Sequence, residues 1–552
     1  MGTRILCLAF ALTLLLSHSA QCHQLAQTSS GGGGESPATL VQGLGSHHQP
    51  VFTASADAQK FFDQGLTLVY AFNHPEAVRS FERAAQLDPN MTMAYWGIAL
   101  ALGSNINSEI DSEREKAAYE AVQKARALSA AGPEHERLYV AALAKRYSLL
   151  PQADRKTLNV EYKNAMGELV KRYPDDLDAA TLFAEAAMVL RPWRLWTADG
   201  KPEDGTLEIV TALESVLRRD PNHIGAIHYY IHAVEASPHP EWALAHAVKL
   251  PALVPAAGHL VHMPAHIYER TGDYMSAARS NREAAKADEA SVAARGIESA
   301  SALMYYSHNL HFLAVAESMA GRLTESLGAA RKLEGHVAPH LKAMPVVEIF
   351  MPTSSLILVR FRRWDEVLKL PRPDAALAAT VTYWHFARGM AFIATGNVAQ
   401  AEQEHRDFLR AEKGITTDMA SAGGVLSETV RRIADLVMRA RIAGAKGDGK
   451  TEIALLRKGV EIEDTVAYDE PPAWYLPTRE SLGAALLRNG LYAEAEQVFR
   501  ADLERNRRSG RSLFGLMRAL TSQNRPYDAA LVRQEFESAW RHADTPLRLE
   551  DL

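Results

Sequence analysis

An uninterrupted helical periodicity runs from about residue 55 to the end of the 552-residue chain. Apolar residues recur at three- and four-residue spacing, which is the period of an amphipathic helix, and the alternating β-branched runs typical of strands are missing. The chain is also rich in Ala and Leu, which favour helices. A long chain without strands buries its apolar faces by packing helix on helix. The periodicity therefore predicts an all-α protein.

Small residues, aromatic residues and prolines mark a repeated helix pair. The clearest pair matches the 34-residue tetratricopeptide (TPR) pattern, in which small residues let two helices approach, an aromatic ring fills the gap and proline ends the second helix. The matching residues are Gly65, Ala77, Phe81, Ala84 and Pro89. Related stops and turns recur at Tyr173-Pro174-Asp175, Asp220-Pro221-Asn222, Thr395-Gly396-Asn397 and Asn489-Gly490-Leu491. We therefore expect a TPR-like α–α superhelix, or solenoid, of roughly 11–12 helix pairs.

The N-terminal region has the features of a secretory signal. Arg4 supplies a positive start, Ile5–Leu16 is a short apolar run, and small residues follow up to Cys22. We expect a signal peptide at residues 1–22, a flexible glycine-rich leader at 23–54 and the solenoid at 55–552, with its histidine-rich part at 223–311. No later stretch has the length and apolar character of a membrane helix. The sequence therefore predicts a periplasmic or secreted protein.

Charge and cysteine content limit the chemistry. The net charge is -6, from 60 basic and 66 acidic residues, which is not the footprint of a nucleic-acid-binding protein. The two cysteines, Cys7 and Cys22, lie in the predicted signal, so a metal ion would need histidine or carboxylate ligands. Sequence motifs for nucleotide binding, serine hydrolysis and HExxH zinc proteolysis are missing.

Histidines are concentrated in the middle of the chain, where ten of the 21 lie between residues 223 and 311. Three successive first helices of predicted pairs carry close pairs of histidines: His228 with His232, His262 with His266, and His308 with His311; His259 lies one turn before the second pair. Residues four or three apart differ by about 40° or 60° around a helix axis, so each pair presents both imidazoles on one face. Because these first helices line the concave face of such a solenoid, we expect the imidazoles to converge in its groove.

These histidines are the candidate metal ligands: His228, His232, His259, His262, His266, His308 and His311. Imidazole suits copper, iron and zinc, and so many nitrogens favour copper or iron over zinc. Two sites of three histidines each would resemble, in ligand arrangement only, the paired-copper centres of oxygen-carrying and phenol-oxidising proteins. A buried hydrogen-bonding network and an anion-binding or pH-sensing pocket are the alternative interpretations.

Two further residues are candidates for catalysis. Glu235 lies one turn after a candidate ligand, where it would be a ligand, a partner of a ligand or a proton acceptor. Tyr268 lies just beyond another candidate ligand and would line the site. The inserted stretch Arg191–Gly205, with Trp193 and Trp196, has the composition of a lid or an apolar plug.

The chain resembles a family of exported bacterial TPR proteins that are mostly uncharacterised. The phrases that carry this resemblance are Ala71–His74, Met93–Ala99, His228–Ala236, Gly258–Tyr268 (GHLVHMPAHIY), His308–Phe312 (HNLHF), Glu470–Arg479 and Ser512–Leu516. They cover nearly the whole mature chain and imply the solenoid fold, but no agreed reaction. Arg511 departs from the family pattern, which has an aromatic residue there.

Two functions follow from these observations. The first is an exported metalloprotein with copper or iron held by the histidines in the concave groove, and oxidoreduction is its candidate activity. The second is a metal-free TPR scaffold that binds a peptide or protein partner in the same groove. In both cases the expected ligand is a small molecule or a peptide rather than a nucleic acid.

Overall fold

The computed structural model describes residues 38–295 and 300–552. The predicted signal peptide and the leader up to residue 37 lie outside the described residues. Within them the chain is helical, with short 3-10 turns and two isolated β-bridges. The α-helices are α1 (Ala56–Tyr70), α2 (His74–Leu87), α3 (Thr92–Leu102), α4 (Ser112–Ser129), α5 (Glu134–Leu143), α6 (Arg155–Arg172), α7 (Leu177–Met188), α8 (Thr206–Arg219), α9 (Ile224–Val234), α10 (Leu244–Ala247), α11 (Leu250–Leu253), α12 (Gly258–His262), α13 (Pro264–Thr271), α14 (Tyr274–Arg295), α15 (Ala300–Met319), α16 (Leu323–Val337), α17 (Thr353–Arg360), α18 (Trp364–Lys369), α19 (Ala378–Ala394), α20 (Val398–Ala411), α21 (Thr417–Ser421), α22 (Glu428–Ala445), α23 (Gly449–Glu463), α24 (Thr478–Arg488), α25 (Tyr492–Arg505), α26 (Gly510–Ser522) and α27 (Pro526–Ala539). None of the helices in these two ranges combines the length and the apolar character needed to cross a bilayer.

The helices pack in sequential pairs. The two helices of a pair contact each other extensively, as α1 does with α2, α3 with α4, α19 with α20 and α22 with α23. The first helices of successive pairs also touch, as α1 does with α3 and α24 with α26. About 12 such pairs follow one another. The predicted all-α, TPR-like superhelix is therefore confirmed.

Close approach between pairs depends on small residues that the repeat pattern marks. Phe81 on α2 is fully buried between α1 and α3. A methyl group on Gly65 would lie 2.6 Å from its ring, and one on Gly97 would lie 2.5 Å away. Both distances are shorter than van der Waals contact allows. The two glycines therefore let one ring hold three helices together, and Phe499 has the same position between α24 and α26.

The central repeats depart from the regular pattern at their prolines. Helix α9 is followed by the 3-10 turn Pro240–Ala243 and the short helices α10 and α11 instead of one long second helix. The next first helix is divided into α12 and α13. Pro264 causes this break, because it has no amide hydrogen to donate to the carbonyl group four residues earlier. The interruption falls between two of the candidate ligands.

The superhelix brings distant helices together around its middle. Helix α9 packs against α1 as well as against its neighbours in sequence. Gly225 permits this contact, because a methyl group there would lie 2.5 Å from the Tyr70 ring. From the other end of the chain, the Arg507 carbonyl oxygen accepts a hydrogen bond from Tyr274 Oη at 2.9 Å. Segments that are far apart in sequence thus surround the helices that carry the histidines.

The segment 38–54 is held against the solenoid, which corrects the expectation of a flexible leader for this part of the chain. The Gly43 carbonyl oxygen accepts a hydrogen bond from the Ala256 amide at 3.0 Å. His47 Nε2 lies 3.0 Å from Asp178 Oδ1, and Leu44 is buried in the core. Glycine content suggested flexibility, but Gly43 has a φ of 87° and turns the chain onto the solenoid.

Candidate metal centre

The first of two histidine groups, here called the first triad, consists of His228, His232 and His259. Helix α9 carries the first two and α12 carries the third. His228 Nε2 lies 3.1 Å from His232 Nε2 and 3.1 Å from His259 Nε2. All three side chains are buried. Three nitrogens about 3 Å apart can each lie about 2 Å from a single ion, so the first triad has the shape of a metal site.

The second triad consists of His262, His266 and His308, contributed by α12, α13 and α15. His262 Nε2 lies 2.7 Å from His266 Nε2 and 3.1 Å from His308 Nε2. The two triads adjoin, since the ring centroids of His232 and His266 are 5.5 Å apart. Each triad therefore combines two histidines from one first helix with a single histidine from the next.

Hydrogen bonds at Nδ1 determine which nitrogen is protonated in the first triad. His228 Nδ1 lies 2.6 Å from the Tyr70 carbonyl oxygen, and His232 Nδ1 lies 2.9 Å from Glu235 Oε1. A carbonyl or carboxylate oxygen only accepts hydrogen bonds, so each Nδ1 carries the proton and donates it. In the neutral rings, the two Nε2 atoms then carry lone pairs that face each other across 3.1 Å. A cation between them stabilises this arrangement.

In the second triad, too, the Nδ1 atoms carry the protons and donate them. His262 Nδ1 donates to Asn281 Oδ1 at 2.7 Å, and the Asn281 amide is oriented by its own hydrogen bond to a backbone carbonyl. His266 Nδ1 donates to Glu235 Oε2 at 2.6 Å and also contacts the Glu470 carboxylate. The Nε2 atoms of both rings therefore face the interior of the triad.

Glu235 joins the two triads, because its two oxygens accept from His232 and from His266. Burial works against its charged form, but the electrostatic attraction and the hydrogen bonds of these two imidazoles outweigh burial and lower the pKa of Glu235 to about 2. Burial raises the pKa of Glu470 to about 7 against the opposing charge of His266. Burial also disfavours charged His266, yet Glu470 and Glu235 raise its pKa to about 10. The carboxylates thus attract positive charge, which a proton or a metal ion can supply.

Four other imidazoles of the triads favour the uncharged form. Burial lowers the pKa values of His228, His259 and His262 well below 6.5. Burial lowers the pKa of His308 to about 3. Neutral imidazole is the form that binds a metal ion, so these rings are ready to act as ligands at neutral pH.

A phenylalanine ring covers each triad. The Phe72 ring centroid lies 4.5 Å from that of His228 and 5.5 Å from that of His259. The Phe312 ring centroid lies 5.3 Å from that of His262. Phe72 has a left-handed φ of 54°, a conformation that costs a residue with a side chain about 1 kcal/mol. The two rings shield the inner nitrogens from water. The strained backbone of Phe72 positions its ring against the first triad.

The centre is buried among the helices that carry it. A cavity of about 510 Å³ lies beside it, and Glu470 and Trp193 form part of the cavity wall. Trp193 is 39% exposed, and its ring centroid lies 5.5 Å from that of His232. The inserted stretch Arg191–Gly205 thus contacts both the first triad and the cavity, which is the position of a lid.

Two predicted site residues lie outside the triads. His311 follows His308 by three residues, and its ring contacts Phe350 and Tyr475 with centroid distances of 5.5 and 5.7 Å. Burial lowers the pKa of His311 to about 4. Tyr268 is partly buried and packs against the apolar core formed by the helices from α13 onward. In the part of the chain that the structure describes, His311 does not belong to a group of converging histidine or carboxylate ligand atoms.

Four supporting residues were not identified as site residues from the sequence: Tyr70, Phe72, Asn281 and Glu470. The Tyr70 carbonyl group is 158 residues from the histidine it contacts, and Asn281 is 19 residues from its partner. Local spacing cannot reveal such contacts. The available signals were the resemblance phrases, since Phe72 lies in the first of them and Glu470 begins a later one.

A third polar cluster lies next to the first triad. Asp178 Oδ1 lies 3.0 Å from His47 Nε2 and 3.2 Å from His223 Nε2, and it accepts a hydrogen bond from Tyr70 Oη at 2.5 Å. His223 Nδ1 accepts a hydrogen bond from the Ala226 amide at 3.1 Å. In the neutral ring its Nε2 therefore carries the proton and has no lone pair for a metal ion. We interpret this cluster as a hydrogen-bonding group that fixes the N-terminal segment and Tyr70.

Comparison with known proteins finds likeness in solved structures alone. No protein-family model matches the chain, and no curated protein matches it. The human IFIT1 dimer with m7Gppp-AAAA is 13% identical, with a TM-score of 0.33 over 89% of this chain and 91% of that one. Yeast Tom70 is 13% identical, with a TM-score of 0.30 over 88% and 92%. The P58(IPK) TPR domain is 13% identical, with a TM-score of 0.22 over 85% and 99%. With TM-scores this low, the fold assignment rests on the helix packing described above.

Proposed function

We propose that the two triads bind a pair of metal ions, one ion in each triad, and that the ions are copper. The observation that carries this proposal is the pair of facing lone pairs in the first triad. His228 and His232 donate their Nδ1 protons outward, and their Nε2 atoms are 3.1 Å apart. A metal-free hydrogen-bonding network needs a donor opposite each lone pair. His259 Nε2, 3.1 Å from His228 Nε2, can donate to His228 but leaves the lone pair of His232 without a donor.

Ligand chemistry favours copper over the other metals. All six converging ligand atoms are imidazole nitrogens, which suit copper. Paired iron centres in helical proteins use carboxylates as ligands, whereas Glu235 and Glu470 interact here with Nδ1 hydrogens. A zinc site needs three or four protein ligands, which a single triad supplies. Zinc therefore gives no reason for a second triad next to the first. Iron and zinc therefore remain weaker candidates.

An oxidoreductase is the activity that fits such a centre. When bound, a copper pair supplies reversible uptake and release of two electrons. The chain contributes the rest: Glu235 orients one ligand in each triad, and Phe72 and Phe312 shield the inner nitrogens from water. The adjacent cavity of about 510 Å³ has the volume of a small-molecule pocket. The signal-like residues 1–22 support a location in the periplasm or outside the cell.

Metal analysis of single-triad variants tests the proposal. The mature protein, purified without an affinity tag, is incubated with Cu, Fe or Zn salts, and bound metal is measured by mass spectrometry. We expect two copper ions per chain. The His228→Ala/His232→Ala and His262→Ala/His266→Ala double variants should each retain one ion, because each removes ligands from only one triad.

His311→Ala is the matched control, because this histidine is close in sequence but outside both triads. It should retain both ions, although the sequence analysis included it among the ligands. Circular dichroism verifies that each variant is folded. A folded wild-type protein that refuses all three metals would overturn the proposal and leave the metal-free scaffold. Loss of metal in His311→Ala alone would show that the ligand sets are wrong.

A further inference from the structure

A second large cavity, of about 970 Å³, lies in the C-terminal half of the solenoid. Helices α17, α18, α22 and α24 and the segment 545–551 contribute to its wall. We call it the arginine cavity, because arginines from several helices converge on it: Arg360, Arg362, Arg441, Arg488 and Arg511. Like charges repel strongly in a partly buried site, so such a cluster requires negative charge nearby.

One buried carboxylate is shared between two of these arginines. Glu480 Oε2 lies 2.6 Å from Arg511 Nε and 3.3 Å from Arg360 Nη1. All three side chains are buried. This arrangement uses the single charge of Glu480 to compensate two guanidinium groups, so it leaves no negative charge over for the rest of the cluster.

A second carboxylate is also shared, but unequally. Glu452 Oε1 lies 2.7 Å from Arg488 Nη2 and 3.9 Å from Arg441 Nη1. The longer distance is beyond hydrogen-bonding range. Arg441 Nη1 is buried and has no hydrogen-bond partner. A buried, unpartnered N–H of a charged group is costly, and Arg441 therefore has an unused donor beside the cavity.

Arg362 lies in the same part of the wall as Asp551, whose charge attracts it. Its guanidinium donates to an oxygen of the terminal residue Leu552 and lies 5.9 Å from the Trp364 ring centroid. Burial, followed by the charges of Arg441 and Arg511, lowers the pKa of Arg362 to about 8. The repulsion from Arg441 and Arg511 therefore outweighs the attraction of Asp551 for Arg362.

The remaining acids of the cavity wall compensate the arginine charges only in part. Asp365 and Glu550 are exposed to solvent, where water screens their charges. Glu366 is bound to Arg363 at 2.6 Å, and Asp551 lies 3.6 Å from an arginine of its own segment. The buried Nη1 of Arg441 thus remains without a hydrogen-bond partner in the wall of the cavity.

We propose that the arginine cavity binds a small organic anion that carries carboxylate or phosphate groups. Guanidinium groups match both oxyanions through paired N–H donors. The volume is that of a small-molecule pocket, and Trp364 and Trp540 in the wall can contact an apolar part of the ligand. The site is separate from the triads, so this inference is independent of the metal ions.

Isothermal titration calorimetry with inorganic phosphate, citrate and a tetraglutamate peptide tests the proposal. Each is titrated at matched ionic strength into metal-free and metal-loaded protein. We expect saturable binding of phosphate, citrate or both, with the same affinity in both forms. The two anions distinguish phosphate from carboxylate as the preferred group. Arg441→Met should weaken binding roughly tenfold or more, because it removes a charge-assisted hydrogen bond.

The matched control is Arg410→Met, since Arg410 is exposed and paired with Asp407 outside the cavity. It should leave anion binding unchanged. Without ligand, Arg441→Met should also unfold at the same temperature as wild type or a higher one, because it removes the repulsion between Arg441 and the neighbouring arginines. Replacement of an arginine with a purely structural role would lower the unfolding temperature. If it does not fold, Arg441→Lys keeps the charge, loses the fork and should weaken binding less.

The proposal fails if neither small anion binds, or if Arg441→Met and Arg441→Lys both bind the anions as tightly as wild type. Binding of the tetraglutamate peptide without binding of either small anion also overturns it, because the occupant would then be an acidic peptide. None of these outcomes depends on whether the triads bind metal.

Discussion

Replacing Glu235 with glutamine should weaken both proposed metal sites, but to different degrees. The amide that replaces the carboxylate has one oxygen and one NH₂ group. One of the two Nδ1 donors, on His232 or on His266, then faces a donor instead of an acceptor. His266 still has the Glu470 carboxylate beside it, whereas no second carboxylate contacts His232 among the described residues. The first triad should therefore lose more affinity than the second.

The magnitude follows from the position of Glu235 behind the ligands. Loss of a residue that orients a metal-binding histidine typically costs about 10–100-fold in metal affinity, or about 1.4–2.7 kcal/mol. We expect the full effect at the first triad and a smaller effect at the second. Glu470→Gln should show the opposite preference, because Glu470 contacts His266 and not the first triad.

The two sites can be measured separately in backgrounds that keep one triad. His308→Ala leaves the first triad intact, and His259→Ala leaves the second. Copper affinity is measured in each background by competition with a coloured chelator, with and without Glu235→Gln. The control is Glu214→Gln, since Glu214 accepts a hydrogen bond from Tyr230 Oη at 2.9 Å outside the centre.

Equal losses in both backgrounds would refute the argument that Glu470 supports the second triad. Unchanged affinity in both would refute the role of Glu235 as a common support. A loss in the Glu214→Gln control as large as in Glu235→Gln would show that the measurement reports general destabilisation.

Three further predictions concern packing, buried charge and pH. Gly225→Ala places a methyl group 2.5 Å from the Tyr70 ring and should lower the free energy of unfolding by about 1–3 kcal/mol in urea titrations. Glu480→Gln leaves two buried guanidinium groups uncompensated and should cost about 3–5 kcal/mol in the same assay. Burial opposes charge on His47, but Asp178 raises its pKa above 6.5. The protection of the amides in segment 38–54, which is measured by the hydrogen-exchange rate relative to the intrinsic rate at each pH, should therefore fall as the pH rises from 6.5 through that raised value.

Matched variants distinguish these effects from general damage. Gly328→Ala, on α16, meets no atom within 4 Å and should be neutral or stabilising. Glu494→Gln breaks an exposed pair with Arg457 and should cost less than about 1 kcal/mol. His47→Gln should remove the pH dependence of this protection; persistence of that dependence in the variant would contradict the assignment to His47.

The helices and the histidine pairs were predictable because both depend on local spacing. The offsets of Gly65 and Phe81 mark a close helix contact, and the structure contains that contact. His228 and His232 are four residues apart, and a helix of any length places them on one face. Such features need no knowledge of how distant parts of the chain meet.

The division of the histidines into triads was not predictable from spacing. His259 and His262 are three residues apart, and the 60° between them directs one to α9 and the other to α15. The same rotation separates His308 from His311, whose ring meets Phe350 instead of another histidine. These outcomes depend on the angle between repeats, which the sequence pattern does not contain.

The residues that hydrogen-bond to the ligands depend on contacts between helices that are distant in sequence. Local spacing does not reveal these contacts either. Tyr70 reaches the first triad only because α1 packs on α9. The segment 38–54 has the glycine content of a linker, and its order follows from contacts with residues far along the chain, such as Ala256. Composition alone therefore misjudged it.

The contacts of Tyr70 and Glu470 with the histidines have a consequence for how the protein matures. Repeat proteins can fold progressively from their N-terminus, because each unit needs only its neighbour. This centre receives the Tyr70 carbonyl group from the first helix pair and the Glu470 carboxylate from the segment that follows α23. The last of these contacts can therefore form only after residue 470 has been synthesised. A nascent chain that already contains all six ligands thus still lacks part of the site. Stable uptake of the proposed metal ions should accordingly be a late event, after nearly the whole polypeptide has been synthesised.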